Sequence, residues 1–292
     1  ILNSLMMMSN VFLLMTRSLA SAERIMEVID EKIDITDENA KDIAVAKGEI
    51  EFDHVWFKYK DTAKEYVLSD VSFHIKPGQT VGIIGQTGSS KTTLVQLIPR
   101  LYDVTKGEVK IDGINVKEYP VRHLRDAVAM VLQKNTLFSG SLIDNLRWGN
   151  ENATLDEIKE ACQIACVDEF VERLADGYTE MGQEGVNVSG GQKQRICIAR
   201  AILKKPKVLI LDDSTSAVDT ATEAKIRSGL AEKLPDMTKI IIAQRISSVR
   251  HADQIIIMDR GHVEAIGTHE SLLRDNQIYQ EIYASQKEGA DL

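Results

Sequence analysis

Alternating apolar and polar residues predict β-strands early in the chain. The alternation runs over 49–57 and again over 71–75, as expected of strands with one buried face. The run 80–84 is apolar and β-branched without alternation, which indicates a strand buried on both faces. Pro77 and Gly78, between the last two segments, are typical of a turn. The pattern therefore predicts a sheet-containing domain that begins near residue 48.

Strand patterns continue through the second half of the chain and alternate there with helical ones. The predicted strands are 107–116 (a hairpin around Asp112-Gly113), 128–132, 207–213, 239–243, and the pair 255–258 and 262–266. Strands separated by helices favour an α/β fold with a parallel sheet. The early alternating strands favour an additional antiparallel β-subdomain.

The stretch 135–188 differs from its surroundings because helical signals dominate it. Thr154 and Glu157 form a capping box that opens one helix, and a second short helix is predicted over 168–174. This predicts a helical insertion in the α/β domain. The predicted divisions are a terminal segment with linker (1–47), a first part of the core with the β-subdomain (48–134), a helical subdomain (135–190) and a second part of the core (191–292).

The first thirty residues are rich in Met and Leu and keep helical spacing. Polar residues interrupt the apolar run, so its length is marginal for the roughly 20 apolar residues that a membrane span requires. Two interpretations stay open: an amphipathic helix that packs on the domain, or the tail of a membrane helix whose beginning is missing. The charged segment 31–47 is interpreted as a linker.

Composition narrows the class of partner. The chain has 43% apolar and 27% charged residues and a net charge of −9, without a basic block, which argues against nucleic acid as the main partner. Its three cysteines lack metal-site spacing; Cys162 and Cys166 share a helix face, and Cys197 is remote. Reduced, buried thiols are therefore expected, and the six scattered histidines give no support for a metal site.

The strand 80–84 runs into a loop that has the composition of a phosphate-binding site. Small residues there let backbone N–H groups point at phosphate oxygens. Lys91 would reach the β- and γ-phosphates, and the Thr92 hydroxyl would hold Mg²⁺. The alternative is a glycine-rich turn, and Ser90 departs from the motif, which has glycine there. The candidate residues are Gly85, Gln86, Thr87, Gly88, Ser89, Ser90, Lys91, Thr92 and Thr93.

Two further segments carry candidate chemistry. The predicted strand 207–213 ends in Asp212, placed to bind Mg²⁺ through water, and Asp213, placed to act as a base or to position water. Either carboxylate could instead be a solvated strand-end acid. A second candidate anion site precedes the helix that runs to about Leu203; in isolation its sequence is also that of a flexible cap. Its residues are Ser189, Gly190, Gly191 and Gln192.

Three single residues complete the candidates. Gln133 follows a predicted strand, where a side-chain amide reaches a ligand or lies in a solvated loop, and Gln244 ends another predicted buried strand. Tyr59 follows the first strand and could stack on a nucleobase, which is worth about 1–3 kcal/mol in other base–aromatic pairs. Alone, it is equally explained as a strand-end tyrosine.

Taken in chain order, these motifs resemble the nucleotide-binding domain of ABC transporters from Gly48 onward. GQTGSSKTT resembles Walker A, Gln133 the Q-loop, VSGGQ at 188–192 the signature motif, and LILDD Walker B. The segments 216–219 and 179–185 resemble the D-loop and the X-loop of exporters. The resemblance implies a P-loop NTPase fold that binds ATP and Mg²⁺.

The same resemblance assigns roles to single residues. Tyr59 would stack on adenine, and Gln244 stands at the switch position of the H-loop. Gln133 would contact Mg²⁺ together with Thr92 and Asp212, and would take part in catalysis with Asp213 and Gln244. The signature residues would contact the ATP held by the other domain of a head-to-tail pair.

The flanks resemble an exporter half-transporter, in which six transmembrane helices precede one such domain. Residues 1 to about 30 would then be the cytoplasmic end of the sixth helix plus linker. This implies a location at the cytoplasmic face of the plasma membrane. It also implies contact between the helical insertion and the coupling helices of the transmembrane domain, with Gln133 at the hinge.

Three residues depart from the family pattern, and all belong to the chain's own hydrolytic site. Asp213 replaces the catalytic glutamate, Gln244 replaces the switch histidine, and Ser90 replaces a Walker A glycine. The signature is intact. This combination is similar to the degenerate subunit of heterodimeric bacterial exporters. It predicts a chain that binds ATP, hydrolyses it slowly and completes the competent site of a second subunit.

Two other functions are compatible with some of these motifs. The first is a fully active ATPase domain of a homodimeric exporter, in which Asp213 still acts. The second is an ABC ATPase that acts on nucleic acid, which the acidic charge and the membrane-like N-terminal segment disfavour.

Overall fold

The computed structural model describes residues 1–171, 188–214 and 217–288, together with the backbone of 180–181. It divides into two compact units, Ile1–Thr36 and Asp37–Leu292. In the first unit, one helix, α1 (Leu2–Ile29), extends over 28 residues and has no buried residue. With a hydropathy of 1.2, α1 is long and apolar enough to cross a membrane. The described residues contain one helix of this kind.

The division between the compact units falls at Thr36 and Asp37, and the domain boundary near Gly48 stays a prediction. Long-range hydrogen bonds hold residues 37–49 in the second unit: Val121 N donates to Asp37 Oδ1 at 2.8 Å, and Lys41 N donates to Glu118 O at 2.7 Å. The carboxylate of Asp112 accepts from all four backbone N–H groups of residues 46–49, at 2.7–2.9 Å. Residues 37–47 are therefore bonded within the second unit, although their composition is that of a linker.

The smaller sheet is antiparallel and confirms the predicted β-subdomain. Its strands are β1 (Ile50–Phe57), β2 (Leu68–Ile75), β4 (Lys106–Ile111) and β5 (Ile114–Asn115). Their order is β2-β1-β4-β5. The hairpin predicted around Asp112-Gly113 joins β4 to β5, and the alternation in β1 places one face in the core.

The larger sheet confirms the parallel α/β core. Its strands are β3 (Thr80–Ile84), β6 (Val128–Val131), β9 (Val208–Asp212), β10 (Thr238–Ile242), β11 (Gln254–Asp259) and β12 (His262–Gly267). Their order is β12-β11-β3-β10-β9-β6, with β12 antiparallel. Because neighbouring strands are parallel, the carboxyl ends of β3, β6, β9 and β10 lie at one edge. The loops that follow them carry most of the candidate residues.

Helices lie between and after the strands along the chain. They are α2 (Lys91–Gln96), a 3-10 turn (Val116–Glu118), α3 (Val121–Ala127), α4 (Leu142–Arg147), α5 (Leu155–Ile164), α6 (Asp168–Val171), α7 (Gly190–Leu203), α8 (Thr220–Lys233), α9 (Ile246–Val249), α10 (His269–Asp275) and α11 (Gln277–Glu288). The buried residues form two clusters, and successive residues of one strand enter different clusters. In β10, Ile240 and Ile242 join the β-subdomain side, whereas Ile241 joins the helical side.

The helical insertion is present, with one feature that the sequence pattern did not predict. Its helices α4 and α5 pack against α7. The two-residue strands β7 (Gly140–Ser141) and β8 (Glu180–Met181) pair antiparallel within it. They are too short for a periodicity to show. The residues predicted as the end of the 168–174 helix, and most of the segment that resembles the X-loop, lie outside the described residues.

The capping box that opens α5 supports a pH prediction. Glu157 accepts hydrogen bonds from the Lys205 ammonium and, at Oε2, from the Thr154 N–H. These two bonds lower the pKa of Glu157 from its ordinary 4.5 to about 2. A depressed carboxylate contributes stability above its unfolded pKa, and this is lost as pH falls through the folded pKa. Glu157→Gln keeps an oxygen for the Thr154 N–H but no charge. We expect wild type to lose stability relative to the variant below pH 4.5.

Urea unfolding midpoints of the two proteins, at several pH values between about 5 and 3, would measure this difference. Parallel midpoint curves for the two proteins would contradict the prediction.

Candidate nucleotide-binding site

The loop between β3 and α2 encloses a lysine. Lys91 Nζ donates to Gly85 O at 2.7 Å, to Gln86 O at 2.8 Å and to Ser89 Oγ at 3.2 Å. Burial lowers the pKa of Lys91, and the carboxylates of Asp212 and Asp213 oppose that shift. A cation is therefore held at the centre of the loop, where it can meet phosphate oxygens.

Two backbone details show why this loop demands small residues. A Cβ at Gly85 would stand 2.2 Å from Met258 O, so no side chain fits there. Ser90, the N-cap of α2, is left-handed at φ 71° and ψ 22°. For a non-glycine residue this conformation costs about 1–2 kcal/mol. The departure from glycine at Ser90 is thus accommodated, at a conformational cost.

The donor set fits Mg²⁺ bound together with phosphate. Thr92 Oγ1 lies 3.2 Å from Asp212 Oδ1, so a hydroxyl and a carboxylate point at one place. Burial raises the pKa of Asp212, against the Thr92 hydrogen bond. Among the described residues, no group of three or more His, Cys, Asp or Glu could hold a metal ion. Mg²⁺ suits such a site because it takes its other ligands from water and substrate phosphates.

Two of the candidate catalytic side chains, Gln133 and Gln244, contact the same carboxylate oxygen of the third, Asp213. Gln133 Nε2 lies 3.1 Å and Gln244 Nε2 lies 2.8 Å from Asp213 Oδ2. Burial raises the pKa of Asp213, while these two amides and Lys91 act in the opposite direction. The sequence placed the three residues after different strands, β6, β9 and β10. Parallel pairing of those strands brings the side chains together.

One open cavity of about 360 Å³ joins these groups. It is lined by Thr87, Gly88, Ser90, Lys91, Thr92, Thr93, Gln133, Asp212, Asp213, Ile242 and Gln244. Tyr59 is half exposed beside it, with its hydroxyl 2.8 Å from Thr93 Oγ1 and its ring edge-on to Tyr102, centroids 5.1 Å apart. Stacking of Tyr59 on a base stays a prediction.

The signature segment forms the start of α7. Ser189 is its N-cap and shares a capping box with Gln192. Gly191 packs closely on the turn before α8, since a Cβ there would stand 2.6 Å from Ala217 O. Gly190 is exposed, and a Cβ would meet only Ala217 Cβ at 3.7 Å. Neither glycine is among the described residues that line the cavity.

Residues 68–216 match the family model described as ABC transporter. The chain belongs to the ABC transporter family. It is 44% identical over 294 residues to the uncharacterized ABC transporter ATP-binding protein YfiB of Bacillus subtilis (strain 168), covering 100% of this chain and 51% of that protein. It is 42% identical over 274 residues to the putative multidrug export ATP-binding/permease protein YgaD of the same strain, covering 93% and 47%.

A solved ABC transporter structure gives the same picture. The bacterial Atm1-family ABC exporter with ATP bound aligns with a TM-score of 0.87 and 34% identity, covering 93% of this chain and 48% of that one. The chain spans about half the length of the curated relatives it matches. The predicted P-loop NTPase fold and the family resemblance are therefore confirmed, and the chain is an ABC ATPase domain, of the kind that binds ATP.

The sequence analysis missed Gln194, which connects the helix after the signature motif to the segment after the Walker B motif. Gln194 is buried on α7, and its Oε1 accepts from Ala217 N at 3.2 Å, which joins the signature helix to the segment after Walker B. A signal existed: Gln194 is a polar residue at a position whose neighbours at helical spacing, Cys197 and Ile198, are both buried. The first residue of the D-loop-like segment, Ser216, lies outside the described residues.

Proposed function

We propose that this chain is the ATP-binding and ATP-hydrolysing domain of an ABC exporter half-transporter, at the cytoplasmic face of the plasma membrane. Its own site is slow, and its signature motif acts in trans on a second subunit, in a heterodimer. The names of YfiB and YgaD, an ATP-binding protein and a putative multidrug export protein, support the exporter assignment. The apolar α1 supports attachment to a membrane domain.

The observation that carries the slow-site proposal is the arrangement around Asp213. The side-chain amides of Gln133 and Gln244 both donate to its Oδ2, and these hydrogen bonds occupy an oxygen that would otherwise accept from water. An aspartate is one methylene shorter than the glutamate of the family pattern. A misplacement of about 1 Å can cost about a hundredfold in rate. Gln244 can donate a hydrogen bond to a γ-phosphate, but it cannot exchange a proton near neutral pH as histidine can.

Binding is spared because other residues perform it. Lys91 and the backbone of the loop hold the phosphates of ATP, and Thr92 and Asp212, with Gln133 beside them, supply the Mg²⁺ ligands. Mg²⁺, when bound, neutralises charge on the phosphates. Asp213 accepts a proton from the attacking water, or orients that water. The chain therefore binds ATP, while the step that activates water is slow.

The position of the signature supports action in trans. Ser189 and Gly190 are exposed at the start of α7, a 14-residue helix whose N-terminus favours an anion. They lie outside the lining of the chain's own cavity. A second subunit that docks head to tail would present its ATP to them. The −9 net charge leaves nucleic acid without support as a partner.

A groove next to the Q-loop is suited to the coupling helices of the transmembrane domain. It holds about 330 Å³ and runs between β6 and α7. At one side, Phe138 and Trp148 stack with centroids 4.6 Å apart although 44% and 68% exposed. Exposed aromatic rings of this kind are typical anchors of protein interfaces. Because Leu132 and Lys134 line the groove on either side of Gln133, docking there would reach the ATP site.

The rival function, a fully active ATPase of a homodimeric exporter, has one observation in its favour. Burial raises the pKa of Asp213, which moves its carboxylate toward the range of an effective general base. Measurement of ATP binding and ATP turnover by the purified protein without a second subunit distinguishes the slow-site proposal from the homodimer. We expect the protein to bind ATP and to hydrolyse it slowly, and we expect Lys91→Ala to abolish the binding. Brisk, cooperative turnover by the single protein would favour the homodimer and overturn the slow-site proposal.

A further inference from the structure

The C-terminal helix makes a two-point contact with the H-loop. Gln286 Nε2 donates to Gln244 O at 2.7 Å, and Gln286 Oε1 accepts from Ile246 N at 2.8 Å. One carboxamide thus satisfies a carbonyl and an N–H on the two sides of Arg245. This pairing resembles one rung of a β-ladder, made by a side chain from 42 residues away.

The backbone between β10 and α9 depends on this contact. At its upstream end, Ala243 N donates to Ile83 O at 3.2 Å. At its downstream end α9 begins, and its N-cap, Arg245, forms no side-chain cap. The first N–H groups of a helix need an outside acceptor. Gln286 supplies that acceptor to Ile246.

Helix α11 is anchored well enough to act as a support. Tyr279 is fully buried, and its hydroxyl lies 2.8 Å from His269 Nδ1. Ile278 and Ile282 pack against the helical-side core. Gln286 stands seven positions after Tyr279 and four after Ile282, which places it on the same helix face. The packed face of the helix therefore directs Gln286 to the H-loop.

We infer that Gln286 is a positioning residue for Gln244. By holding the backbone on both sides of Arg245, it keeps the Gln244 side chain at Asp213 Oδ2, 2.8 Å away. The inference rests on the proposed function, in which Gln244 and Asp213 serve hydrolysis. The hydrogen bonds that the described residues give Gln286 go to Gln244 O and Ile246 N, and to neither the phosphate loop nor Asp213. Gln286 therefore acts on the rate of the chemical step and leaves ATP affinity unchanged.

Hydrogen exchange tests the contact without reference to activity. In the full-length transporter, Gln286→Ala should speed exchange in peptides that cover 243–249 by about tenfold, because both hydrogen bonds are lost. Gln277→Ala is the matched control: it lies on the same helix, and its Nε2 donates to Glu281 Oε1 at 2.9 Å, away from the H-loop. Unchanged exchange in Gln286→Ala would overturn the inference.

A double-mutant cycle in the purified protein without a second subunit tests the positioning role, because the turnover measured there comes from this chain's own site. Gln286→Ala should lower kcat for ATP about tenfold at unchanged KM, and by less than about twofold when Gln244→Ala is already present. An equal loss in both backgrounds would show a merely structural role and overturn the inference. Fast turnover by the wild-type protein would refute the slow-site proposal but not the positioning role of Gln286, because the double-mutant cycle can still be measured. If the wild-type protein shows no turnover, the hydrogen-exchange comparison tests the role of Gln286 by itself.

Discussion

Asp213→Glu combined with Gln244→His should raise ATP turnover at this chain's own site about a hundredfold. The glutamate extends the carboxylate by one methylene toward the cavity, and the histidine supplies a group that gains and loses a proton near neutral pH. Both substitutions act where Gln133 and Gln244 now hold Asp213 Oδ2. Steady-state ATP turnover of the purified protein measures the gain.

The control for this gain keeps the histidine and removes the charge. Asp213→Asn with Gln244→His changes the same two positions, but it has no carboxylate to activate water, so turnover should stay at or below the wild-type level. ATP affinity should be the same in all three proteins because Lys91 and Thr92 are untouched. A double variant that turns over ATP no faster than wild type would contradict the slow-site account.

Gly190→Asp should abolish ATP turnover by the two-subunit transporter, whereas Asp213→Asn in the same chain should leave most of it. Gly190 is exposed, so the new side chain does not disturb the core. Its carboxylate would face the phosphates of the ATP that the second subunit holds, and like charges repel. In the proposed division of labour, Asp213 serves the slow site, which contributes little of the measured turnover.

Gly190→Ala separates charge from size in this experiment. Its Cβ would sit at ordinary contact distance, 3.7 Å, from Ala217 Cβ, so it should fold normally and lose less turnover than Gly190→Asp. Thermal unfolding of each variant would verify folding. Equal losses in Gly190→Asp and Asp213→Asn would contradict the division of labour between the two sites.

Strand positions and the motif loops were predictable because they depend on local pattern. The apolar runs 208–211 and 240–242 became parts of the buried central strands β9 and β10. Parallel order then explains why Gln133, Asp213 and Gln244 meet. The capping box at Thr154 was visible for the same reason, since it involves residues three positions apart.

Contacts between distant parts of the chain were not predictable. Asp112 suggested only a hairpin turn, yet its carboxylate accepts from four N–H groups more than sixty residues earlier. No sequence pattern around Gln286 predicts its contact with the H-loop, because a glutamine in a polar helix segment is usually solvent-exposed. Tyr59 was found by its place in the motif order, whereas its hydrogen bond to Thr93 depends on tertiary packing.

The strands of the large sheet are shared between two separate apolar clusters, and this restricts where the molecule can move. Shifting β10 would disturb packing above and below at once, since Ile241 and Ile242 point into different clusters. We therefore expect ATP binding and release to act through the loops that follow β6, β9 and β10 and carry Gln133, Asp213 and Gln244, and to leave the strand positions in the sheet unchanged.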